Sequence, residues 1–540
     1  MKSLQSFGIS IKNNIVLMKQ FLKSHYGITT VLAINLFFYA IIIFKVPWFI
    51  SDDFLIFYKI GENLKTGIFP AINEVFQLFF RPVTYFFFVA EFLTLHNNPV
   101  AIKFITLIIH LGFLISFYFA LRNILHLLNL KINNLIIAAI LLLISIHPTT
   151  YNYIIWISSL NVALLNLFFA LSLLYITKFL IENKNLFLIF SVIFFILAAL
   201  SKQQALVLPL FVLILYFFIK KSVNPVVRKR LLYFIFVSLL FSVLLIIINA
   251  VFVSTYDFRY FIINLYKKPF VFFGGFFSVL LPLLQLEVYN FFTEHLLITA
   301  GISLVVLILA AFTILKFKKS RSFIIAFILI WIISFFPQIL INNEFRNLNM
   351  QLLVFYFFIL IICLNSDFKK YSYPILILLF ILNTAATIQA SDKSVWNNQM
   401  NFKHYDKLKE FVTEDDSRYF VLIAYTNGLN LPYDYFYYKN KNFGKDSISG
   451  LELIWLLNNN EPKDRTIHPT KYSDVSVIGD TLKIKSLDKN VSIVGNFVIY
   501  DIIKSEPNSH KGFQSMEMIL PESAKGKILI YYDGEKWVRL

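Results

Sequence analysis

The sequence predicts an all-α polytopic membrane bundle of about 11 transmembrane helices, followed by a small C-terminal domain of α/β or mostly β structure. Of its 540 residues, 58% are hydrophobic, 62 are Phe and only 15% are charged, whereas soluble chains carry about 25% charged residues. Apolar runs of about 20 residues recur between Ile28 and Ala390, which is the length that an α-helix needs to cross a bilayer. A soluble protein is therefore excluded.

The charge distribution predicts the topology. Residues 1–390 carry 29 basic and 11 acidic side chains, whereas residues 391–540 carry 20 of each. Basic clusters between apolar runs mark cytoplasmic loops, so the net charge of +18 does not require a nucleic-acid partner. The segment 1–27 contains four lysines and no acid, and we expect it to lie in the cytoplasm before an uncleaved first helix. The expected location is the cell membrane, with a bacterial inner membrane favoured.

The apolar runs assign residues 28–390 to the membrane domain. The stretch 270–286 is predicted to be re-entrant or interfacial, because counting it as a span would place the basic cluster at 316–321 outside. Residues 51–99 and 254–295 then form external loops, and 391–540 form an extracytoplasmic domain. The predicted spans are 29–50, 100–121, 134–147, 156–177, 186–200, 204–219, 231–253, 296–315, 322–340, 348–364 and 373–390.

The C-terminal tail changes composition abruptly. Its β-branched and aromatic runs predict strands, and turn signals occur at Asn427-Gly428 and Asp533-Gly534. The predicted strands are 419–425, 475–484, 491–503 and 527–532. The single cysteine, Cys363, excludes a disulfide framework.

Two adjacent carboxylates, Asp52 and Asp53, follow the first predicted span. Such a pair beside a membrane can act as a general base, as a metal ligand or as the N-cap of the next helix. Arg81 lies further along the same loop, flanked by Phe79, Phe80, Tyr85 and Phe86. A guanidinium there suits a lipid phosphate, although anchoring to headgroups is the alternative.

Lys202 lies at the predicted outer end of the fifth span, in the turn Ser201-Lys202-Gln203-Gln204. The positive-inside rule disfavours a lysine there, so we expect an anionic partner, with snorkelling to headgroups as the alternative. His147 ends the third predicted span and Trp156 begins the fourth.

Glu344 and Arg346 occupy the last short external turn, where an internal ion pair is the simplest interpretation. His110, within the second span, is predicted to be a satisfied core residue rather than a ligand. Together these groups predict a site at the outer face that holds an anionic lipid-linked substrate and deprotonates an acceptor hydroxyl.

At these residues the chain resembles the GT-C superfamily of polyprenyl-phosphate-sugar-dependent glycosyltransferases. It is most similar to the branch of the protein O-mannosyltransferases and the tetratricopeptide-associated transmembrane mannosyltransferases. The resemblance covers residues 28–220, and Glu344 to Arg346 more loosely. The motifs in chain order are Ser51-Asp52-Asp53, Arg81-Pro82-Val83-Thr84, the helix containing His110, Ile146-His147-Pro148, Trp156-Ile157-Ser158 and Leu200-Ser201-Lys202-Gln203.

The resemblance implies a sugar transfer from a polyprenyl-phosphate donor to a hydroxyl of a protein, lipid or glycan acceptor. Asp52 or Asp53 would supply the catalytic base, with Asp52 preferred. Arg81, Lys202 and Arg346 would bind the donor phosphate, supported by His147, Trp156, Gln203 and Glu344. The branch requires no cofactor or metal, although a divalent metal at the Asp pair is possible. Where the family has Glu after Ser-Lys, this chain has Gln203.

Other functions remain open at this level. Within enzymes, a polymerase or ligase of surface polysaccharide is the alternative. A transporter would place charged or polar residues near the middle of the bilayer, whereas the charges here lie at the outer margin. A non-catalytic tethering protein would use the spans only as an anchor.

Overall fold

In the computed structural model, the described part of the chain comprises residues 25–47, 81–95, 98–220, 223–252, 277–284, 328–332, 349–364 and 369–409 and nine strands after residue 418, with isolated helical positions such as 53. The chain divides into two compact units. One consists of residues 1–48 and 60–391, and the other of residues 49–59 and 392–540.

The first unit is helical. Its helices, in chain order, are α1 Tyr26–Lys45, α2 Pro82–Leu95, α3 Pro99–Leu127, α4 Asn134–Ser145, α5 Pro148–Ile155, α6 Leu160–Glu182, α7 Asn185–Ser201, α8 Leu208–Ile219, α9 Pro225–Phe252, α10 Asn349–Leu364 and α11 Lys369–Lys409, with short 3-10 helices at Ile157–Ser159, Gln203–Val207 and Pro282–Leu284.

Polar residues set several helix boundaries between the apolar runs. The Asn98 side chain accepts a hydrogen bond from the backbone N–H of Ala101, and Pro99 occupies the first turn of α3. Asn133 caps α4 in the same way. Asn183 ends α6 in the left-handed conformation, with φ of 54°. These caps satisfy N–H and C=O groups that a helix end leaves unpaired.

Five of the described helices are long and apolar enough to cross a membrane: Tyr26–Lys45, Pro99–Leu127, Ile157–Glu182, Pro225–Ile248 and Tyr371–Val395. The number rises to 6 if α4 and α5 form one bent span. A multi-pass membrane protein is therefore supported, whereas the count of about 11 crossings is not confirmed. The span predicted at 296–315 lies almost entirely outside the described residues, and only parts of 270–286 and 322–340 are described.

The third predicted span, 134–147, contains α4, and the helical path is broken directly after it. Helix α4 has 12 residues, or about 18 Å at 1.5 Å per residue, which is too short for a hydrocarbon core of about 30 Å. The chain bends by 59° before α5. The break leaves carbonyl groups at the end of α4 without helical partners, and four side chains donate hydrogen bonds to them. The pairs are Asn383 to Leu143, Thr150 to Ile144, Tyr39 to Ser145 and Thr387 to Ile146.

The core lies between α3, α6 and their neighbours. Apolar side chains on these helices are buried on most sides, as expected of a helix surrounded by protein. Helices α1 and α4 approach closely at Gly27, where an added Cβ would lie 3.0 Å from the Cβ of Ala138. Small residues permit this kind of close helix contact inside membranes.

The described part of the tail is a nine-stranded mixed sheet with the order β3-β4-β7-β5-β2-β1-β8-β9, and β6 also pairs with β7. Strand β1 is parallel to both β2 and β8, whereas the other pairs are antiparallel. The strands are β1 Tyr419–Tyr425, β2 Leu451–Asn458, β3 Ser473–Ile478, β4 Thr481–Ser486, β5 Val491–Gly495, β6 Ile502–Asn508, β7 Gly512–Ile519, β8 Ile528–Tyr532 and β9 Trp537–Arg539.

Two predicted strands need correction. The run 475–484 is a hairpin of β3 and β4, because Gly479 adopts a positive φ of 59° and Ile478 pairs with Thr481. A two-residue turn with a glycine at positive φ is a favoured hairpin geometry. The run 491–503 likewise contains the whole of β5 and the first two residues of β6. Strands β2, β7 and β9 were not predicted, whereas β1 and β8 agree with the sequence prediction.

Candidate functional site

Arg81 and Gln203 are 122 positions apart in sequence and meet in the first unit. Arg81 directly precedes α2, and its Nε donates to Oε1 of Gln203 over 3.4 Å. One helical turn later, the Thr84 hydroxyl donates to the carbonyl oxygen of Ser201 over 3.1 Å. Two hydrogen bonds therefore fix the start of α2 against the end of α7.

Lys202 lies between α7 and the following 3-10 helix. Its backbone is extended, with φ of −159° and ψ of 136°, and this interrupts the helical path. Its side chain is only 6% exposed, and Nζ donates to Oδ1 of Asn161 over 3.4 Å. The break turns the lysine into the bundle beside Gln203, instead of leaving it to extend towards headgroups.

The arrangement brings two cationic side chains to one turn. Arg81 contacts Gln203, and Lys202 is the residue before it. Gln203 and Gln204 are 5% and 3% exposed, so the turn is largely dehydrated and Coulomb interactions there are stronger than in water. The contacts of Arg81 and Lys202 with neutral amides, both at 3.4 Å, are long. A phosphate would form shorter charge-assisted hydrogen bonds with the same donors.

His147 and Trp156 delimit the short helix α5. The imidazole Nδ1 of His147 accepts a hydrogen bond from the backbone N–H of Thr149 over 3.1 Å, so it caps the helix. The other ring nitrogen, Nε2, lies 3.4 Å from the carbonyl oxygen of Val279 and must donate to it. Trp156 ends α5 in an extended conformation. His147 and Trp156 therefore mark the two ends of α5.

The other predicted site residues divide into two groups. Asp53 is fully buried and belongs to the second unit, with residues 49–59. Asp52, Glu344 and Arg346 lie outside the described residues. Their assignment as base, supporting residue and phosphate ligand remains a prediction.

Two further buried polar residues were not predicted. Asn161, at the start of α6, accepts the hydrogen bond from Lys202. Lys103, in the first turns of α3, is fully buried, and its Nζ donates to the carbonyl oxygen of Val46 over 2.7 Å. The sequence signal for Lys103 was the same as for Lys202: a lysine at the predicted outer end of an apolar helix, against the positive-inside rule.

His110 behaves as the sequence predicts, as a satisfied core residue. Its Nε2 lies 3.0 Å from the Ser145 hydroxyl, and the Tyr153 hydroxyl lies 2.7 Å from Nδ1. Ser145 also contacts Asn35. This buried network connects α1, α3, α4 and α5 beside the end of α4.

Among the described side chains, no three His, Cys, Asp or Glu residues lie together in a way that could hold a metal ion. The described side chains at this turn, Arg81, Lys202, Gln203 and Asn161, are cations and amides, which suit an anion.

Compared with known proteins, the chain matches no family model, no curated protein and no solved structure.

Proposed function

We propose that the protein is an integral membrane glycosyltransferase. It transfers a sugar from a polyprenyl-phosphate donor to an acceptor hydroxyl at the extracytoplasmic face. The observation that supports this proposal is the meeting of Arg81 and Lys202 at the turn containing Gln203, since both cations come from regions predicted to be external. A lipid phosphate requires positive charge at the margin of an apolar bundle.

The proposed reaction is a single displacement. A carboxylate of Asp52 or Asp53 removes the proton of the acceptor hydroxyl, whose oxygen forms a bond to the anomeric carbon. The bond between this carbon and the phosphate oxygen breaks, and the electron pair leaves with the polyprenyl phosphate. Arg81 and Lys202 stabilise the negative charge that develops on the departing phosphate. The configuration at the anomeric carbon is inverted.

The buried polar groups at the break between α4 and α5 need no transport pathway to account for them. A transport pathway needs polar groups that face a cavity near the middle of the bilayer. Here, the network of Asn35, His110, Ser145 and Tyr153 consists of direct side-chain contacts beside the carbonyl end of α4. These contacts account for the network as part of a helix break.

A direct test incubates membranes containing the protein with a radiolabelled polyprenyl-phosphate sugar. The proposal predicts that label moves to a protein, lipid or glycan fraction and that equimolar polyprenyl phosphate is released. Vesicles prepared in both orientations identify the reactive face. Binding of the labelled lipid without release of polyprenyl phosphate, under any tested donor sugar, would refute the transferase assignment.

A further inference from the structure

Helices α4 and α11 run in the same direction and leave a groove between them. At the C-terminal end of α4, Asn383 donates to the carbonyl oxygen of Leu143 over 3.0 Å, and Thr387 donates to that of Ile146. Towards the N-terminal ends of both helices, the groove has a volume of about 250 Å³. The two hydrogen bonds therefore hold the helices together at one end of the groove.

The groove is apolar and open to the surroundings of the bundle. Apart from the hydroxyl group of Tyr373, the nine residues that line it offer no polar side chain. Leu135, Tyr373, Ile377 and Phe380 are between 42% and 60% exposed. Helix α11 is long and apolar enough to cross a membrane, so its exposed apolar side chains face lipid. A hydrocarbon chain is therefore the group that fits this groove.

The length of the groove corresponds to one leaflet of a bilayer. Its lining on α4 extends from Leu135 to Leu143, which is about 12 Å at 1.5 Å per residue. Half of a hydrocarbon core of about 30 Å is about 15 Å. Tyr373 lines the groove near the start of α11, and tyrosine is enriched where the bilayer meets water. The occupant is therefore a lipid of one leaflet, with its headgroup at this end.

Positive charge collects at the same end. Lys131 is exposed and lies three residues before α4, and α11 begins with Lys369 and Lys370. The N-termini of both helices add partial positive charge. Against these three lysines, the adjoining sequence carries one acid, Asp367. Each lysine near the membrane surface favours an anionic lipid, so this end of the groove is matched to a negatively charged headgroup.

We propose that the groove between α4 and α11 binds an acyl chain of an anionic phospholipid, whose phosphate lies beside Lys131 and the N-termini of the two helices. This end of both helices is predicted to be cytoplasmic, so the lipid belongs to the cytoplasmic leaflet. A zwitterionic phospholipid can place the same chain in the groove but gains less from the positive charge. The inference does not depend on the proposed sugar transfer.

The test uses the full-length protein in nanodiscs that contain photoactivatable phosphatidylglycerol or phosphatidylcholine with identical diazirine-bearing chains. Mass spectrometry measures the label on residues 134–145 and 369–382. Ala139→Phe fills the groove, and Ile377→Trp, at an exposed position, serves if Ala139→Phe does not insert. The matched control is Val243→Phe, an exposed position on α9 that does not line the groove.

The headgroup is tested by Lys131→Gln. Its control is Lys178→Gln, which removes a lysine at another predicted cytoplasmic turn, where it lies over the ring of Tyr175. We expect phosphatidylglycerol to label the groove at least about fivefold more than phosphatidylcholine, and Lys131→Gln to remove about a fivefold preference. The groove-filling variants should lose most of the label, whereas both controls should stay within about twofold of the wild type.

Four results would overturn the proposal. Equal labelling by the two lipids would refute the preference for an anion, and unchanged labelling in Lys131→Gln would refute the position of the headgroup. Undiminished label in both groove-filling variants would refute the groove as the seat of the chain. Loss of label on adding polyprenyl phosphate, but not on adding unlabelled phosphatidylglycerol, would assign the groove to the sugar donor instead.

Discussion

Replacing Arg81 with glutamine tests whether the turn at Gln203 binds the phosphate of a lipid donor. The substitution removes the positive charge but keeps a side chain that can contact Gln203. In the structure, Nε of Arg81 donates to Gln203 over 3.4 Å, a long hydrogen bond whose loss alone costs little stability. The main expected effect is therefore on donor binding.

The size of this effect follows from the kind of hydrogen bond that is lost. A hydrogen bond to a charged group contributes about 1.5–3 kcal/mol, and 1.4 kcal/mol corresponds to about a tenfold change in affinity. Arg81 is only partly buried, and solvent screening places the expected value in the lower half of that range. We predict that Arg81→Gln raises the donor KM about 10- to 50-fold, while Arg81→Lys, which keeps the charge but loses the planar fork, has a smaller effect.

The assay measures initial rates of sugar transfer at varied concentrations of a labelled polyprenyl-phosphate sugar in nanodiscs. The matched control is Arg230→Gln, which removes a half-buried arginine that donates to Asn185 over 2.7 Å at a predicted cytoplasmic loop. The control should retain the wild-type KM. An equal change of KM in both variants would mean that overall charge is responsible, and an unchanged KM in Arg81→Gln would refute phosphate binding at this turn.

Three further predictions concern the scaffold. The double substitution Asn383→Leu and Thr387→Val removes the donors to the carbonyl groups of Leu143 and Ile146. It should lower the free energy of unfolding by about 1–3 kcal/mol for each carbonyl left without its donor. An unchanged thermal midpoint in detergent would contradict the role of these residues at the helix break. Gly27→Ala should destabilise the protein by about 1–3 kcal/mol, because the added methyl group would lie 3.0 Å from the Cβ of Ala138. The methyl group added by Gly112→Ala would lie 3.3 Å from the flexible end of Leu167, so this variant should be better tolerated in the same unfolding experiment. Burial, and secondarily the nearby Arg122, lowers the pKa of His25 below its usual 6.5. The neutral imidazole is therefore favoured in the folded state, and stability is lost as the pH falls below 6.5. A histidine NMR titration should give a midpoint below 6.5 that rises in Arg122→Gln, and a midpoint at or above 6.5 would contradict this.

The apolar runs predicted the positions of several helices because burial in lipid leaves a strong signal in composition. The run 186–200 corresponds closely to α7, Asn185–Ser201, and 348–364 to α10, Asn349–Leu364. The break at 146–147 was harder to predict. It depends on donors from α1, α5 and α11 that satisfy the end of α4, and residues as distant as Ile146 and Thr387 cannot be paired by local pattern.

For the tail, local pattern was sufficient only where a strand had clear ends. Strand β1, Tyr419–Tyr425, has the predicted bounds. The hairpin of β3 and β4 was interpreted as a single run because β-branched residues continue on both sides of Gly479 and Asp480. In fact, those two residues form the turn.

For the candidate site, the charge rule predicted an anionic partner for Lys202, and the structure shows that this lysine is buried. Its described partner is the amide of Asn161, a neutral residue that carries no charge signal in the sequence. The same rule applied to Lys103 would have suggested a buried partner, but its acceptor is a backbone carbonyl of Val46. Backbone acceptors are present at every residue, so sequence alone does not distinguish them.

The most direct test of the proposed function is the double substitution Asp52→Asn and Asp53→Asn in the full-length protein. These changes keep side-chain volume and hydrogen-bonding capacity but remove both candidate bases. With the variant inserted to wild-type levels, we predict that labelled polyprenyl-phosphate sugar still binds and that transfer falls by about 100-fold or more, since general-base catalysis contributes about 10²–10⁴. Transfer at the wild-type rate would contradict the assignment of the base to this loop.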